Sequence, residues 1–496
     1  MLPSCALCKK RKKKCDFNLP SCKNCESTGT QCEHFDEGLG NYVPREYIKS
    51  LSDNIVHLKY EIEKYKKKID KRSLQTEGSP RSDSNLYDTI KNGIFIEGSD
   101  SELHYFGPCS VVAVTYMTTM LLRLNTNTFE RVVMMDFRSM PAIHIPFDLN
   151  MITSEHTKIL ISNYLTEVYP VYPLLSESFF HFDLMVKNYP PSKQVFIFLT
   201  LLVSSAHLMR KRSDFVPIKI MLQHKVLELM KSRASCEDCD YLVCLILYAV
   251  YQLLDPENGE SIRRTISLAC DLAERIHLVD YSRNDEIPGS ITKDISKNAI
   301  LKILLTLDSE VSIVLGKLPL LTMINQKISN LEEEQGGNLL RASCEKYEFY
   351  ILIYSNSSNC KVCKIFQFQR YKYSKDYNLW LLASPLLSHR CNDCNLCYDS
   401  FVLNIMNASM STISKFDATL KGTGIIHYWI ALSKVAVSIM NLVLIRRIHS
   451  SCYSGFVTND SVCEHILLGK QLIAQISAQW YWASPVREFI DQLPIK

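Results

Sequence analysis

Apolar positions in the long C-terminal part of this chain recur mainly at helical spacing. Ile161, Tyr164, Leu165 and Val168 fall at i, i+3, i+4 and i+7, and Pro170 ends the run. Ile262, Ile266, Ala269, Ala273 and Ile276 form a second single-faced stripe, and residues 301–315 a third. Period-two alternation, the mark of a half-buried strand, is scarce. Residues 102–496 are therefore expected to form an all-α body.

A different period governs the region ahead of it. Ile48, Leu51, Ile55, Leu58, Ile62, Tyr65 and Ile69 are separated by gaps of three and four that alternate without error. This predicts a coiled-coil helix over residues 47–71. Isoleucine at every a position, with leucine or tyrosine at d, favours a parallel dimer, and Glu61 at g faces Lys66 at e of the second helix. A single amphipathic helix packed on the body is the competing reading. Residues 34–46, with Gly38, Gly40 and Pro44, read as a linker, and residues 72–101, rich in Ser, Gly and Asp and with Pro80, as a second and flexible one.

Two apolar runs raise the question of a membrane span. Residues 195–209 contain His207 and stop at Arg210-Lys211-Arg212. Residues 425–445 carry Lys434 at their middle, where a charge costs about 2.5–3.5 kcal/mol or more. Neither offers about 18 uninterrupted apolar residues, so both are expected to be buried core helices and no membrane partner is expected.

Composition sharpens this picture. A chain of 496 residues has room for roughly three domains. With 47% hydrophobic and 22% charged residues, global disorder is excluded. Only 16 glycines and 18 prolines punctuate it, about 7% of the chain against roughly 12% on average, which again favours helices. The formal net charge of +4 is unevenly placed: residues 1–32 carry +5 and the remainder −1.

Cysteine is concentrated in the same place, with six of 19 in the first 32 residues. Met1-Leu2-Pro3-Ser4 lacks the charged and apolar regions of a secretory leader. Reduced, metal-binding thiols are therefore expected in preference to disulfides. Cys5, Cys8, Cys15, Cys22, Cys25 and Cys32 repeat one unit twice, a close pair followed by a third cysteine seven positions on. Two tetrahedral zinc ions need eight metal–sulfur bonds, so six thiolates suffice only if two of them bridge. The unit-opening Cys5 and Cys22 are the symmetric choice. One zinc then takes Cys5, Cys8, Cys15 and Cys22, and the other Cys5, Cys22, Cys25 and Cys32. A single four-cysteine site with two spectators, or a metal-buffering segment, are the alternatives. Thirty residues bury too little apolar surface to fold alone, so metal must stabilise them.

Between the second and third cysteines runs Lys9-Lys10-Arg11-Lys12-Lys13-Lys14. Six adjacent cations repel one another, and a polyanion relieves that repulsion through counterion release. A nuclear-localisation signal is the other use of such a run, and one segment can serve both.

Residues 5–32 resemble the binuclear zinc-cluster domain of fungal transcription factors, with the cysteine spacing, the basic stretch and Pro20 before the fourth cysteine all in place. The resemblance implies that the first helix enters the DNA major groove over a CGG-type triplet. It implies that Arg11 and Lys12 read bases, that Lys9 and Lys14 touch phosphate, and that Lys23 on the second helix is a further contact. Arginine at position 11 suits bidentate contact to guanine O6 and N7. A dimer seam just behind the reader is similar to many members of the family. The 15 or so residues from Cys32 to Ile48 could span roughly 50 Å, which leaves half-site spacing and orientation open.

Three stretches of the body also resemble the family's middle homology region, its helical regulatory domain. They are Glu102-Leu103-His104-Tyr105-Phe106-Gly107-Pro108, then residues 164–175 with Tyr169-Pro170-Val171-Tyr172-Pro173, and Leu307-Asp308 through Leu315-Gly316-Lys317-Leu318-Pro319. Arg275 and the late Pro319 depart from that pattern. A small effector or a transcriptional co-regulator is what such a domain would bind.

Other candidate chemistry is sparse. Cys360/Cys363 and Cys391/Cys394/Cys397 are cysteine groups separated by 27 residues, and Cys236 and Cys239 form a lone pair; free thiols are the simpler reading of both. No Gly-rich phosphate loop, zinc-protease helix or nucleophile elbow occurs, and an enzyme is not expected. The expected organisation is a zinc-cluster domain over 1–33, the linker 34–46, the coiled coil 47–71, the linker 72–101 and a helical regulatory body over 102–496. The expected function is zinc-dependent, sequence-specific DNA binding by a nuclear homodimer that regulates transcription. A nuclear zinc-binding scaffold without sequence preference is the alternative.

Overall fold

The structure, a computed structural model of the whole chain, describes residues 4–36, 41–45, 89–97, 103–125, 151–180, 189–233, 238–255, 261–278, 297–321, 379–388, 395–422, 425–448, 459–480 and 483–494, with a few single positions between them. The chain divides into two compact units, Met1–Ser82 and Asp83–Lys496. The heptad positions Ile48, Leu51, Ile55, Leu58, Ile62, Tyr65 and Ile69 lie outside the described residues, as do Cys360, Cys363, Cys391 and Cys394.

The first unit contains two short helices, α1 (Ala6–Lys10) and α2 (Lys23–Glu26), and a hairpin of strands β1 (Glu33–Asp36) and β2 (Asn41–Pro44). The hairpin is antiparallel, with Glu33 opposite Pro44 and His34 opposite Val43. This corrects the reading of residues 34–46 as a linker. Pro44 closes the second strand, and His34 fastens the pairing by a contact of its Nδ1 with the Val43 carbonyl at 3.2 Å.

The second unit opens with a further hairpin, β3 (Ile94–Glu97) and β4 (Leu103–Phe106), in the register Ile94 opposite Phe106. Ile90, just ahead of it, is fully buried. Residues 89–97 thus belong to the body, which corrects the expectation of a linker throughout 72–101. The short Ile-Phe-Ile run was masked by the polar residues around it.

Helices form nearly all the rest of the described residues: α3 (Val111–Leu122), α4 (Ser154–Asn163), α5 (Pro191–Leu208), α6 (Phe215–Arg233), α7 (Cys239–Leu254), α8 (Ser261–Arg275), α9 (Lys297–Leu315), α10 (Leu379–Leu382), α11 (Asn395–Lys421), α12 (Tyr428–Ile448), α13 (Asn459–Gln479) and α14 (Ser484–Gln492). The local signals are in the expected places. Thr153 accepts the His156 N–H and His156 reaches back to the Thr153 backbone, a reciprocal cap that starts α4. In α8 the stripe Ile262, Ile266, Ala269 and Ala273 is buried.

Helix α12 shows no such stripe because every face is covered. It packs against α3, α9, α11 and α13, and a helix buried all round is apolar all round. Among the described residues it is the one helix long and apolar enough to cross a membrane, and its apolar window is wholly buried inside the fold. Lys434 at its centre pairs with Glu310 of α9.

Segments singled out in the sequence meet through backbone. The N–H of Gly107 donates to the Leu315 carbonyl at 3.0 Å. A Cβ added at Gly107 would lie 1.5 Å from the Gly316 carbonyl oxygen, and Gly316 has φ +64°. Two chain segments about 200 residues apart therefore touch where neither can carry a side chain. Gly107→Ala is expected to destabilise the body by about 1–3 kcal/mol or more, read as a lowered thermal midpoint of the helical circular-dichroism signal. An unchanged midpoint would show that the approach is looser than described.

Several buried polar groups in the body are paired structurally. Asp308 accepts the Leu320 and Leu321 backbone N–H groups at 2.7 and 2.9 Å, closing the turn after α9. Lys219 and Asp255 form a buried pair at 3.0 Å. Tyr164 accepts the Leu175 N–H at 3.2 Å, and Tyr172 meets His427 Nε2 at 2.8 Å, which fixes the aromatic-proline turn. Burial, aided by the neighbouring Arg210 cation, pushes His427 down to about 4, and burial does the same to His207. Both shifts favour the neutral imidazole.

Candidate metal centre

The repeated cysteine spacing becomes a repeated backbone path. Cys5 and Cys22 are the N-cap residues of α1 and α2, with nearly equal dihedrals of φ −64°, ψ 156° and φ −77°, ψ 152°. In each half the next turn closes alike: Lys9 N–H to Cys5 carbonyl at 2.9 Å, and Glu26 N–H to Cys22 carbonyl at 3.0 Å. The Cys8 N–H also donates to Cys5 Sγ at 3.3 Å. The turn after each helix then passes through a left-handed residue, Lys12 at φ +51° and Gly29 at φ +61°. Lys13 N–H returns to the Cys8 carbonyl at 3.0 Å and Thr30 N–H to the Cys25 carbonyl at 3.1 Å.

Two copies of one turn thus face each other and bring six sulfurs together. They form two overlapping groups, Cys5, Cys8, Cys15, Cys22 and Cys5, Cys22, Cys25, Cys32, each with its sulfurs within 4.8 Å of one another. Cys5 Sγ lies 3.7 Å from Cys22 Sγ and 3.6 Å from Cys25 Sγ, and Cys8 Sγ lies 3.7 Å from Cys22 Sγ. A zinc tetrahedron with bonds of about 2.3 Å has an edge of about 3.8 Å. The sulfurs therefore fit two such ions sharing an edge, and they are far too distant for disulfides.

Thiols this crowded cannot all ionise without a cation. Burial drives the Cys5 thiol upward and lifts Cys25 to about 12. Cys22 moves down to about 6: burial opposes this, but the Cys25 backbone N–H and the neighbouring thiols outweigh it. Cys15 is also lowered, as backbone hydrogen bonds and the Arg45 guanidinium overcome burial. Zinc, when bound, would supply the missing positive charge and hold all six as thiolates.

Side chains around the sulfurs tie the halves together. Asn24 donates from Nδ2 to Cys8 Sγ at 3.4 Å and to the Lys14 carbonyl at 3.0 Å. Asp16 Oδ2 accepts the Lys23 N–H at 3.2 Å at the start of α2. The Leu19–Pro20 peptide ahead of Cys22 is cis.

The basic residues Lys9, Lys10, Arg11, Lys12, Lys13 and Lys14 are all exposed, as is Lys23. Helix α1, however, stops at Lys10. Arg11 is its C-cap and Lys12 leaves the helix, so the run bends around a turn. Cys239 is buried at the start of α7, while Cys236 and the side chain of Cys397 lie outside the described residues.

Arg45 is the residue that sequence reasoning missed. It is fully buried, its N–H donates to the Cys32 carbonyl at 2.8 Å, and its Nη1 donates to Cys15 Sγ at 3.6 Å. Only the strand pairing, which brings position 45 back beside position 32, reveals it.

A six-sulfur cage with a cationic turn on its surface defines a small candidate metal-thiolate module. Residues 3–42 match the fungal Zn(2)-Cys(6) binuclear cluster domain, and this N-terminal domain belongs to that family. The chain is also 38% identical over 85 residues to Protein STB5 of Saccharomyces cerevisiae. That match covers 17% of this chain and 11% of the relative. No solved structure matches the chain.

Proposed function

We propose that this protein is a zinc-dependent, sequence-specific DNA-binding regulator of RNA polymerase II transcription that works in the nucleus. The observation that carries the reading is the juxtaposition of the two four-sulfur groups with the exposed run from Lys9 to Lys14. Two zinc ions would fold the reader, and lysines would then seat it on phosphate while bases are read beside them. Lys9, Lys14 and Lys23 take the phosphate role and Arg11 and Lys12 the base role, over a CGG-type triplet.

The left-handed backbone at Lys12 supports this assignment. Gly29 occupies the equivalent turn in the second half, where no side chain is needed. A lysine at φ +51° costs about 1 kcal/mol relative to glycine, a cost that a DNA contact would justify. The heptad over residues 47–71 would pair two chains so that two triplets are bound together. The body, residues 83–496, would carry regulation by an effector or a co-regulator, and the protein is a binder, not an enzyme.

Selection of duplexes from a random pool by the full chain tests the reading. Enriched sequences are expected to contain CGG-type triplets in pairs at one preferred spacing. A pool with bound DNA but no enriched motif would instead assign the basic run to nuclear import, as in a scaffold protein.

A further inference from the structure

We propose that Arg45 is the resident counter-cation of the zinc cluster, a positioning residue that clamps both closing ligands and slows loss of metal. The inference rests on the two-zinc reading of the site. Six thiolates and two divalent cations leave a net charge of about −2 inside a unit too small to screen it. Arg45 is among the largest fully buried side chains of the chain, and burying a guanidinium is unfavourable unless an anion meets it.

Its position follows from the hairpin. β2 ends at Pro44 opposite Glu33, so Arg45 stands beside Cys32. Its backbone N–H donates to the Cys32 carbonyl at 2.8 Å, and its guanidinium reaches Cys15 Sγ at 3.6 Å. Cys15 belongs only to the first sulfur group and Cys32 only to the second. One residue therefore touches the closing ligand of each group. The Phe17 ring lies 6.0 Å from the guanidinium carbon, on the edge of cation–π range. Partners that orient metal ligands commonly change metal affinity about 10–100-fold when removed.

The test uses the full chain in three forms: wild type, Arg45→Lys and Arg45→Met. Zinc per chain is taken as the excess over a Cys5→Ser, Cys22→Ser double variant, so that metal held elsewhere drops out. Release is then followed with a chromogenic chelator. The wild type is expected to hold two zinc ions above that baseline. Arg45→Met is expected to release them at least about tenfold faster, with Arg45→Lys closer to the wild type. Equal release by all three chains overturns the proposal. So does equal acceleration in both variants, which would assign the effect to shape and not to charge. If Arg45→Met takes up no zinc, uptake by Arg45→Lys supports the role of charge and its absence overturns it. A wild type with no excess zinc overturns the metal reading itself, and Arg45's role with it.

Discussion

Replacing Cys22 with serine is expected to strip both zinc ions from the N-terminal domain, whereas Cys15→Ser is expected to leave one. Cys5 and Cys22 belong to both sulfur groups, so losing either leaves two sites with three sulfurs each. Cys15 belongs to one group alone, and the set Cys5, Cys22, Cys25 and Cys32 survives its loss. A structural zinc contributes on the order of 10–16 kcal/mol to folding in small domains, far more than a segment of this size gains by apolar burial. Among the described residues of the first unit, the buried apolar cluster is the six cysteines themselves with Leu7 packed against them. Cys22→Ser should therefore unfold the domain and abolish specific DNA binding. Intact-mass spectrometry under native conditions reads the zinc directly. Two ions retained by Cys22→Ser would show that the sulfurs do not bridge. Loss of both from each variant would mean that the halves fold only together.

Changing Lys12 to glycine is expected to separate stability from recognition. Lys12 holds φ +51°, a conformation that glycine adopts without cost. Relief of that strain should hold or raise stability by up to about 1 kcal/mol, with zinc content unchanged. Loss of the ammonium should at the same time lower affinity for a selected CGG-type duplex by about 1–3 kcal/mol, roughly 5–150-fold. Arg11→Ala should lose a similar amount without the gain in stability. Fluorescence anisotropy on selected and random duplexes at one salt concentration measures both terms. Equal losses on the two duplexes would assign these side chains to phosphate alone.

The cysteine framework and its partition into two groups were legible in the sequence because ligand spacing is local. A two-residue gap followed by a six-residue gap, repeated after 17 positions, already contains the pseudo-symmetric turn found around Cys5 and Cys22. The helices of the body were legible for the same reason, since the stripe of Ile262, Ile266 and Ala269 reports one face of one element. Helix α12 was harder. Burial on all sides erases the periodicity, and only its neighbours distinguish it from a membrane span.

The sequence by itself determined which residues hold metal distances from one another, where the positive charge sits and that stretches such as 262–275 and 301–315 are helical, because each is written in short-range spacing. Tertiary structure alone decided that Arg45 returns to Cys15, that Lys12 turns out of the helix, and that Gly107 meets Gly316. Those contacts depend on strand register, turn geometry and the packing of distant segments. No local spacing encodes them, because the free energy that selects them comes from surfaces that meet only when the chain is folded.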